Sequence, residues 1–493
     1  MDTYSDKARA QGGIAQRNAG GRREERHVAR LLALALPIVG MTASRMVMGF
    51  IDFAMVSRLG TEAQAAISPA TVLVFAIITL GMGAASTVQT FASQADGRGE
   101  GDRAAAYAWQ SIYIALGLGL ALWPLIGLTA AFYGWIARVA GHAPEVERLE
   151  IEYTQVALWS FTPSVICAGL NGFFNGIQRP RIGLVAILVS IAANIVGNYL
   201  LIFGHGGFPA LGVRGAAIAT VVAWWVRAGM LLGSFLSPTF DEGYATRRTW
   251  GISLPKLAGV VRVGAPASFQ WFVDIASWVV FMHLIMPPFG TVAMAASNIG
   301  LQFMHLGFMP PIGLSLALAS LVGFAIGEGR PELAVARTRV AMRLNLAYMG
   351  LAGAFMFLAR RPLIGLISDD PAVIESGAQV MVWVAIFQLS DALCVTYTNA
   401  LRGAGDTRWP ALAVGLTCWG IFIGGGFAMA RLFPQWGING PWLMCTLYIV
   451  ILGGLLYGRF RSGAWRAIRL FEPAGPVLDP AAAAQIARHP ESD

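Results

Sequence analysis

Stretches of about twenty or more mostly apolar residues follow one another along almost the whole sequence, and they decide what this chain can fold into. At 1.5 Å per residue, a helix of about twenty residues crosses roughly 30 Å of hydrocarbon. It also satisfies its own backbone where there is no water to do so. Leu31 to Met55 and Tyr107 to Ile126 are two such stretches. With 56% hydrophobic and 13% charged residues over 493 positions, there is too little charge to coat a water-soluble protein of this size. The expected fold class is therefore an all-α integral membrane protein. Boundaries marked by Gly, Pro and charge place helices near 31–57, 65–94, 104–133, 151–177, 182–203 and 212–236, then near 261–287, 292–326, 338–359, 371–401, 408–431 and 437–458. The long stretches that open the second half could be divided differently, giving eleven or thirteen spans.

A net charge of +8 raises the question of nucleic acid, and the placement of the 35 Lys and Arg residues answers it. Twenty-six lie in the N-terminal arm, the even-numbered loops and the C-terminal tail, against seven in the odd-numbered loops; Arg45 and Arg227 fall inside spans. Sorting of this kind marks membrane topology. It puts both termini in the cytoplasm, requires an even number of spans, and argues against a nucleic-acid partner. Residues 1–30 read as a disordered cytoplasmic arm before an uncleaved first helix. The tail 461–493, rich in Ala and Pro from Glu472, is expected to be cytoplasmic and disordered from that point. Cys167, Cys394, Cys418 and Cys445 all fall in spans without metal-ligand spacing, which predicts neither a disulfide nor a metal site.

The two halves of the chain repeat each other. Leu59-Gly60-Thr61 through Ala65-Ala66 reads like Phe289-Gly290-Thr291 through Ala295-Ala296, at an offset of 230. The same offset carries Gly97 and Gly99 onto Gly327 and Gly329 without a gap, and Asp102 onto Glu332. Farther along, Phe208-Pro209, Gly212 and Gly215 match Phe433-Pro434, Gly437 and Gly440 at an offset of 225. Each unit has six spans, so both enter the membrane in the same sense, related by an axis along its normal. That predicts two pseudo-symmetric six-helix lobes, an N-lobe at 31–236 and a C-lobe at 258–460, joined by a cytoplasmic linker at 237–257. Repeats of this kind are a transporter architecture with the substrate site near mid-membrane. No Gly-x-x-x-x-Gly-Lys-Ser/Thr loop occurs, so the chain carries no recognisable ATP-binding motif.

Ionisable side chains within a span are costly and are functional candidates for that reason. Three carboxylates qualify: Asp52 late in the first helix, Asp274 in the seventh and Asp391 in the tenth. Asn194 and Asn198, one turn apart on the fifth helix, present two amides to one face. Such a pair is either interhelical glue or a polar pocket whose hydrogen bonds change when a facing carboxyl group takes up a proton. Arg45 lies seven residues before Asp52, two turns along the same face and about 10.5 Å away, close enough to raise the plainer reading of a structural pair. His205, His283 and His305 are scattered without metal spacing.

From about Leu34 to Tyr457 the chain resembles the multidrug and toxic compound extrusion (MATE) family. Three segments carry the resemblance. They are Pro37-Ile38-Val39 with Ile51-Asp52-Phe53-Ala54-Met55-Val56-Ser57-Arg58-Leu59-Gly60, the loop from Gly204-His205-Gly206 through Gly215-Ala216-Ala217, and Leu401-Arg402-Gly403-Ala404-Gly405-Asp406-Thr407-Arg408. The resemblance implies a V-shaped pair of lobes in the inner membrane that exports organic cations against entry of protons or sodium. Asp52 matches the family's N-lobe carboxylate, with Asn194 and Asn198 beside it. Asp274 falls where the NorM-like branch has a seventh-helix acid, usually Glu, and Asp391 matches its tenth-helix Asp. Asp274 and Asp391 are candidates to hold sodium, a hard cation, or a proton. The implied partners are small organic cations and lipid, the chain is expected to act as a monomer, and no cofactor is expected beyond the coupling ion. The nearest rival is a lipid-linked oligosaccharide or polysaccharide flippase, whose pyrophosphate would call for several cations within the spans, where only Arg45 and Arg227 occur. A membrane enzyme would need a catalytic constellation, and no His-Glu-x-x-His or Gly-x-Ser-x-Gly motif appears.

Overall fold

The computed structural model describes residues 2–139 and 143–471. Among these, twelve helices are long and apolar enough to cross a membrane. In the first half they are α1 (His27–Leu59), α2 (Thr61–Gly97), α3 (Gly101–Trp135), α4 (Pro144–Gly176), α5 (Arg181–Phe203) and α6 (Gly212–Phe235). The second half holds α7 (Leu254–Phe289), α8 (Thr291–Gly327), α9 (Pro331–Leu358), α10 (Pro371–Gly403), α11 (Arg408–Leu432) and α12 (Asn439–Arg461). The expected all-helical, twelve-span fold is what the chain forms. Several helices begin earlier than hydropathy placed them. Both α4 and α9 open on a proline with a glutamate in the first turn, Pro144 with Glu145 and Pro331 with Glu332. Pro lacks the N–H that a first turn leaves unused, and Glu complements the helix dipole there.

Backbone helix also extends α1 back to Asp2, where an unstructured arm was expected. Ala, Arg, Gln and Glu, all good helix formers, are common in that segment in spite of four glycines. The expected disordered tail from Glu472 lies outside the described residues.

Two apolar cores form, one centred in each lobe, with Leu31, Ile38 and Met41 of α1 joining the C-lobe core and Val260 and Val263 of α7 joining the N-lobe core. One gathers Phe91, Leu170, Phe173, Phe174 and Phe235, the other Phe281, Leu318, Met381, Phe422 and Trp442. In the N-lobe α2 and α4 pack centrally; in the C-lobe their counterparts α8 and α10 do the same. The lobes meet where α1 crosses α8 and α7 crosses α2, a reciprocal pair of contacts, with α2 against α8 between them.

The repeat glycines have physical reasons. Gly97 and Gly327 lie against each other across the pseudo-two-fold: a Cβ on Gly97 would meet the Phe324 carbonyl oxygen, and one on Gly327 the Gln94 carbonyl oxygen. Residues 94 and 324 are themselves equivalent under the offset, so the contact is self-complementary, as a two-fold interface requires. Gly60 with Gly290 and Gly99 with Gly329 all hold positive φ, at 117°, 88°, 74° and 69°, a region open to glycine and strained for other residues. Hydrogen bonds tie the lobes at the same end, where α1 begins and α12 ends. Thr90 Oγ1 donates to the Arg402 carbonyl at 2.9 Å, Gln94 Nε2 to that of Gly403 at 3.0 Å and Gln89 Nε2 to that of Leu316 at 2.7 Å.

The segment between the lobes is held against α3. Trp109 Nε1 donates to the Thr246 carbonyl at 2.7 Å, Gln110 Nε2 to that of Gly251 at 3.0 Å, and the Tyr113 hydroxyl to that of Trp250. Within it, Tyr244 donates to Asp96 Oδ1 at 2.9 Å, and burial together with that carboxylate pushes its phenol up from the usual range.

Candidate functional site

In the N-lobe, α1 and α5 bring the predicted polar residues together. Asn194 and Asn198 are four apart on α5, hence on one face, and both are fully buried. Asp52, on α1 and half-buried, accepts a 2.5 Å hydrogen bond at Oδ1 from Asn198 Nδ2. Asn198 Nδ2 also reaches Asn194 Oδ1 at 3.3 Å. The chain continues to α6, where Thr220 Oγ1 accepts from Asn194 Nδ2 at 3.5 Å and donates to the Ala216 carbonyl at 3.0 Å. Asn198 Oδ1 is buried with no hydrogen-bond partner among the described residues. A terminal amide can turn either its NH₂ or its oxygen to a neighbour, so Asn198 can serve a carboxylate as donor or a carboxylic acid as acceptor.

Arg45 does not pair with Asp52. Its guanidinium carbon stands 4.9 Å from the centre of the Phe75 ring on α2 and 5.7 Å from that of Trp224 on α6. Arg227, also on α6, stands 5.5 Å from the same indole. Spacing along α1 put Arg45 and Asp52 on one face; rings on two other helices draw the side chain elsewhere, through cation–π attraction.

In the C-lobe, Asp391 on α10 is buried, 8% exposed, whereas Asp274 on α7 is exposed. The two carboxylates are close enough to interact electrostatically, and Asp274 interacts in the same way with Cys418 and Tyr448. No hydrogen bond or ion pair to either carboxylate is present among the described residues, in contrast to Asp52. Around them stands an aromatic wall. Trp278, Phe281 and Tyr448 each lie against Phe422 with ring centres 5.0 to 5.1 Å apart, and Trp442 lies 5.5 Å from Phe281. Two turns of π-helix, Phe281–Ile285 in α7 and Cys418–Gly424 in α11, lie in this region. Such widened turns recur at functional sites, because they displace the side chains that follow. Cys394, Cys418 and Cys445 are buried here as free thiols, as is Cys167 in the N-lobe.

Glu150 is a buried carboxylate that hydropathy left at a helix boundary; the early start of α4 brings it inside, against Tyr133. Arg337 enters α9 for the same reason and donates from Nη1 to the Leu321 carbonyl at 2.6 Å. The Pro-Glu pairs at 144–145 and 331–332 were the signal that would have found both. Thr220, one of two hydroxyl residues in α6, offered no such signal.

Known proteins resemble this chain along most of its length. The MatE family profile matches residues 37–200 and 266–424, one stretch in each lobe. The "Probable multidrug resistance protein NorM" of Rhizobium meliloti (strain 1021) is 32% identical over 448 residues, covering 88% of this chain and 93% of that one. A protein of the same description from Thermotoga maritima is 29% identical over 442 residues, covering 88% and 92%. Among solved structures, an outward-facing conformation of a multidrug resistance MATE family transporter superposes with a TM-score of 0.80 at 20% identity, over 89% of this chain and 96% of that one.

Proposed function

The chain belongs to the MatE family, an integral membrane protein whose relatives are multidrug resistance transporters, and from that premise we propose that it exports small organic cations in exchange for protons or sodium ions. The observation that carries this reading is the distribution of acid: one hydrogen-bonded carboxylate in the N-lobe, Asp52, and an undonated pair in the C-lobe, Asp274 with Asp391. A carboxylate inside a span attracts either a cationic drug or a small cation. Left empty and charged, it resists passage through the apolar barrier of a closing cleft. Exchange is thereby favoured over leak. At Asp52, uptake of a proton would turn the Asn198 amide and rearrange the bonds to Asn194 and Thr220. At Asp274 and Asp391, two like charges without donors invite one shared cation, sodium or a proton.

Alternating access fits the self-complementary contact at Gly97 and Gly327 and the hydrogen bonds beside it, which close one end of the bundle. The sorting of Arg and Lys supports placing that end, with both termini, in the cytoplasm of an inner-membrane protein. The division into an N-lobe at 31–236, a linker at 237–257 and a C-lobe at 258–460 belongs to the same reading, as does action as a monomer. A flippase for pyrophosphate-linked sugars is disfavoured, since the relatives are described as multidrug resistance proteins and the interior of the spans holds acids, Asp52, Asp274 and Asp391, rather than a cluster of cations.

The direct test is efflux of a fluorescent organic cation from proteoliposomes of the purified chain, with an inward proton or sodium gradient imposed separately. Efflux is expected under one gradient and not under a potential of the same size alone. Absence of efflux under both, with folded protein and several cationic dyes, overturns the reading.

A further inference from the structure

The N-lobe interior holds two guanidinium groups with no acidic partner among the described residues. Arg45 on α1 and Arg227 on α6 converge on one indole, with their Cζ atoms 5.7 and 5.5 Å from the centre of the Trp224 ring, and Phe75 on α2 closes a further side 4.9 Å from Arg45. Arg227 is 9% exposed, and its Nε has no hydrogen-bond partner among the described residues. Neither guanidinium takes part in an ion pair among the described residues, and the two like charges are near enough to repel each other. Asp52, the nearest intramembrane acid along α1, is engaged by Asn198 instead.

An unpaired buried cation is among the costliest things a membrane fold can carry, and two side by side compound the cost. Cation–π contact with Trp224 and Phe75 offsets only part of it, because a ring face has a quadrupole and no net charge. What the arrangement lacks is an anion. A carboxylate matches the fork of a guanidinium with two parallel hydrogen bonds, and an aromatic body attached to it would lie against the indole and phenyl rings. A larger dianion such as a pyrophosphate would want more donors than the two side chains supply.

We propose that Arg45, Arg227, Trp224 and Phe75 form a binding site for aromatic carboxylates, so that the N-lobe takes organic acids at a place separate from Asp52. The two sites are about 10.5 Å apart along α1, two helical turns. An acid bound at the arginines leaves Asp52 and its amides free for the coupling ion. This rests on the export reading for carriage across the membrane, though not for binding.

The probe is 1-pyrenebutyrate, with its uncharged methyl ester and the cation ethidium as comparisons. Binding of each to the full chain is followed by fluorescence in nanodiscs of phosphatidylcholine, with empty nanodiscs subtracted. The acid is expected to bind the native chain at least about ten-fold more tightly than the ester, the scale of one charge-assisted hydrogen bond. Arg45→Gln and Arg227→Gln should each lower acid affinity about ten-fold and raise ethidium affinity, because a repelling charge is gone. Arg45→Lys and Arg227→Lys keep the charge and should keep a preference for the acid over the ester. Equal binding of acid and ester by the native chain overturns the proposal, as does a parallel loss of acid, ester and ethidium binding in the Gln variants. Acid preference without gradient-driven cation efflux would overturn the export reading and leave this site standing; efflux without acid preference would do the reverse.

Discussion

The acidic residues of the two lobes live in opposite surroundings. Asp52 is met by a built hydrogen-bond relay, Asn198 at 2.5 Å and then Asn194 and Thr220, spread over α1, α5 and α6. Asp274 and Asp391 face each other's charge with no donor among the described residues, backed by rings and buried thiols. Two halves that share a fold and a set of turn glycines have therefore diverged at their polar centres. The relay joins three helices to Asp52, an arrangement suited to conformational switching. The C-lobe pair has no hydrogen-bonding partner among the described residues, an arrangement suited to capture of a cation.

The comparison is broken most sharply at Asp391. Asp391→Asn is expected to reduce gradient-driven efflux to the level of empty liposomes while the purified protein keeps its helix content and elution position. Full transport by this variant would remove the C-lobe pair from the mechanism. Next, Asn198→Ala takes away the strongest hydrogen bond to Asp52, a bond to a charged group worth about 1.5–3 kcal/mol. Efflux at a fixed gradient should fall about ten-fold or more, with protein yield little changed; unchanged efflux would make the amides mere packing. Asp274→Glu is expected to fall only a few-fold, since the exposed Asp274 has room for another methylene, whereas Asp391→Glu must fit a buried position and should fall further. Equal losses would mean that the two acids are equally confined. The smallest effect belongs to Thr220→Val, which removes a 3.5 Å contact at the far end of the relay and should cost about 1 kcal/mol or less in thermal stability or transport.

Much of this was legible from residue order. Helix existence followed from apolar length, and the pairs Gly60 with Gly290 and Gly99 with Gly329 matched because the same turn is built twice with positive φ. Gly97 and Gly327 matched for a different reason, since they touch each other. The union of Asp52 with Asn194 and Asn198 was implied by the family resemblance, whereas the amide pair alone left interhelical glue open. Helix starts were less legible, because averaging hydropathy hides a polar first turn such as Pro144-Glu145, and Glu150 went unnoticed with it. Least legible was Arg45. Its distance along α1 from Asp52 is a property of one helix, whereas its position against Phe75 and Trp224 depends on how α2 and α6 pack around it.

Competition between drug and ion for the same carboxylates is the central claim, and calorimetric titration tests it most directly. An organic cation is titrated into the purified chain in buffers of different ionisation enthalpy, with and without sodium. The expected result is release of a proton, or a loss of affinity as sodium rises, on binding to the native chain, and disappearance of that linkage in Asp391→Asn. Tight binding that is indifferent to both pH and sodium in the native chain would contradict it.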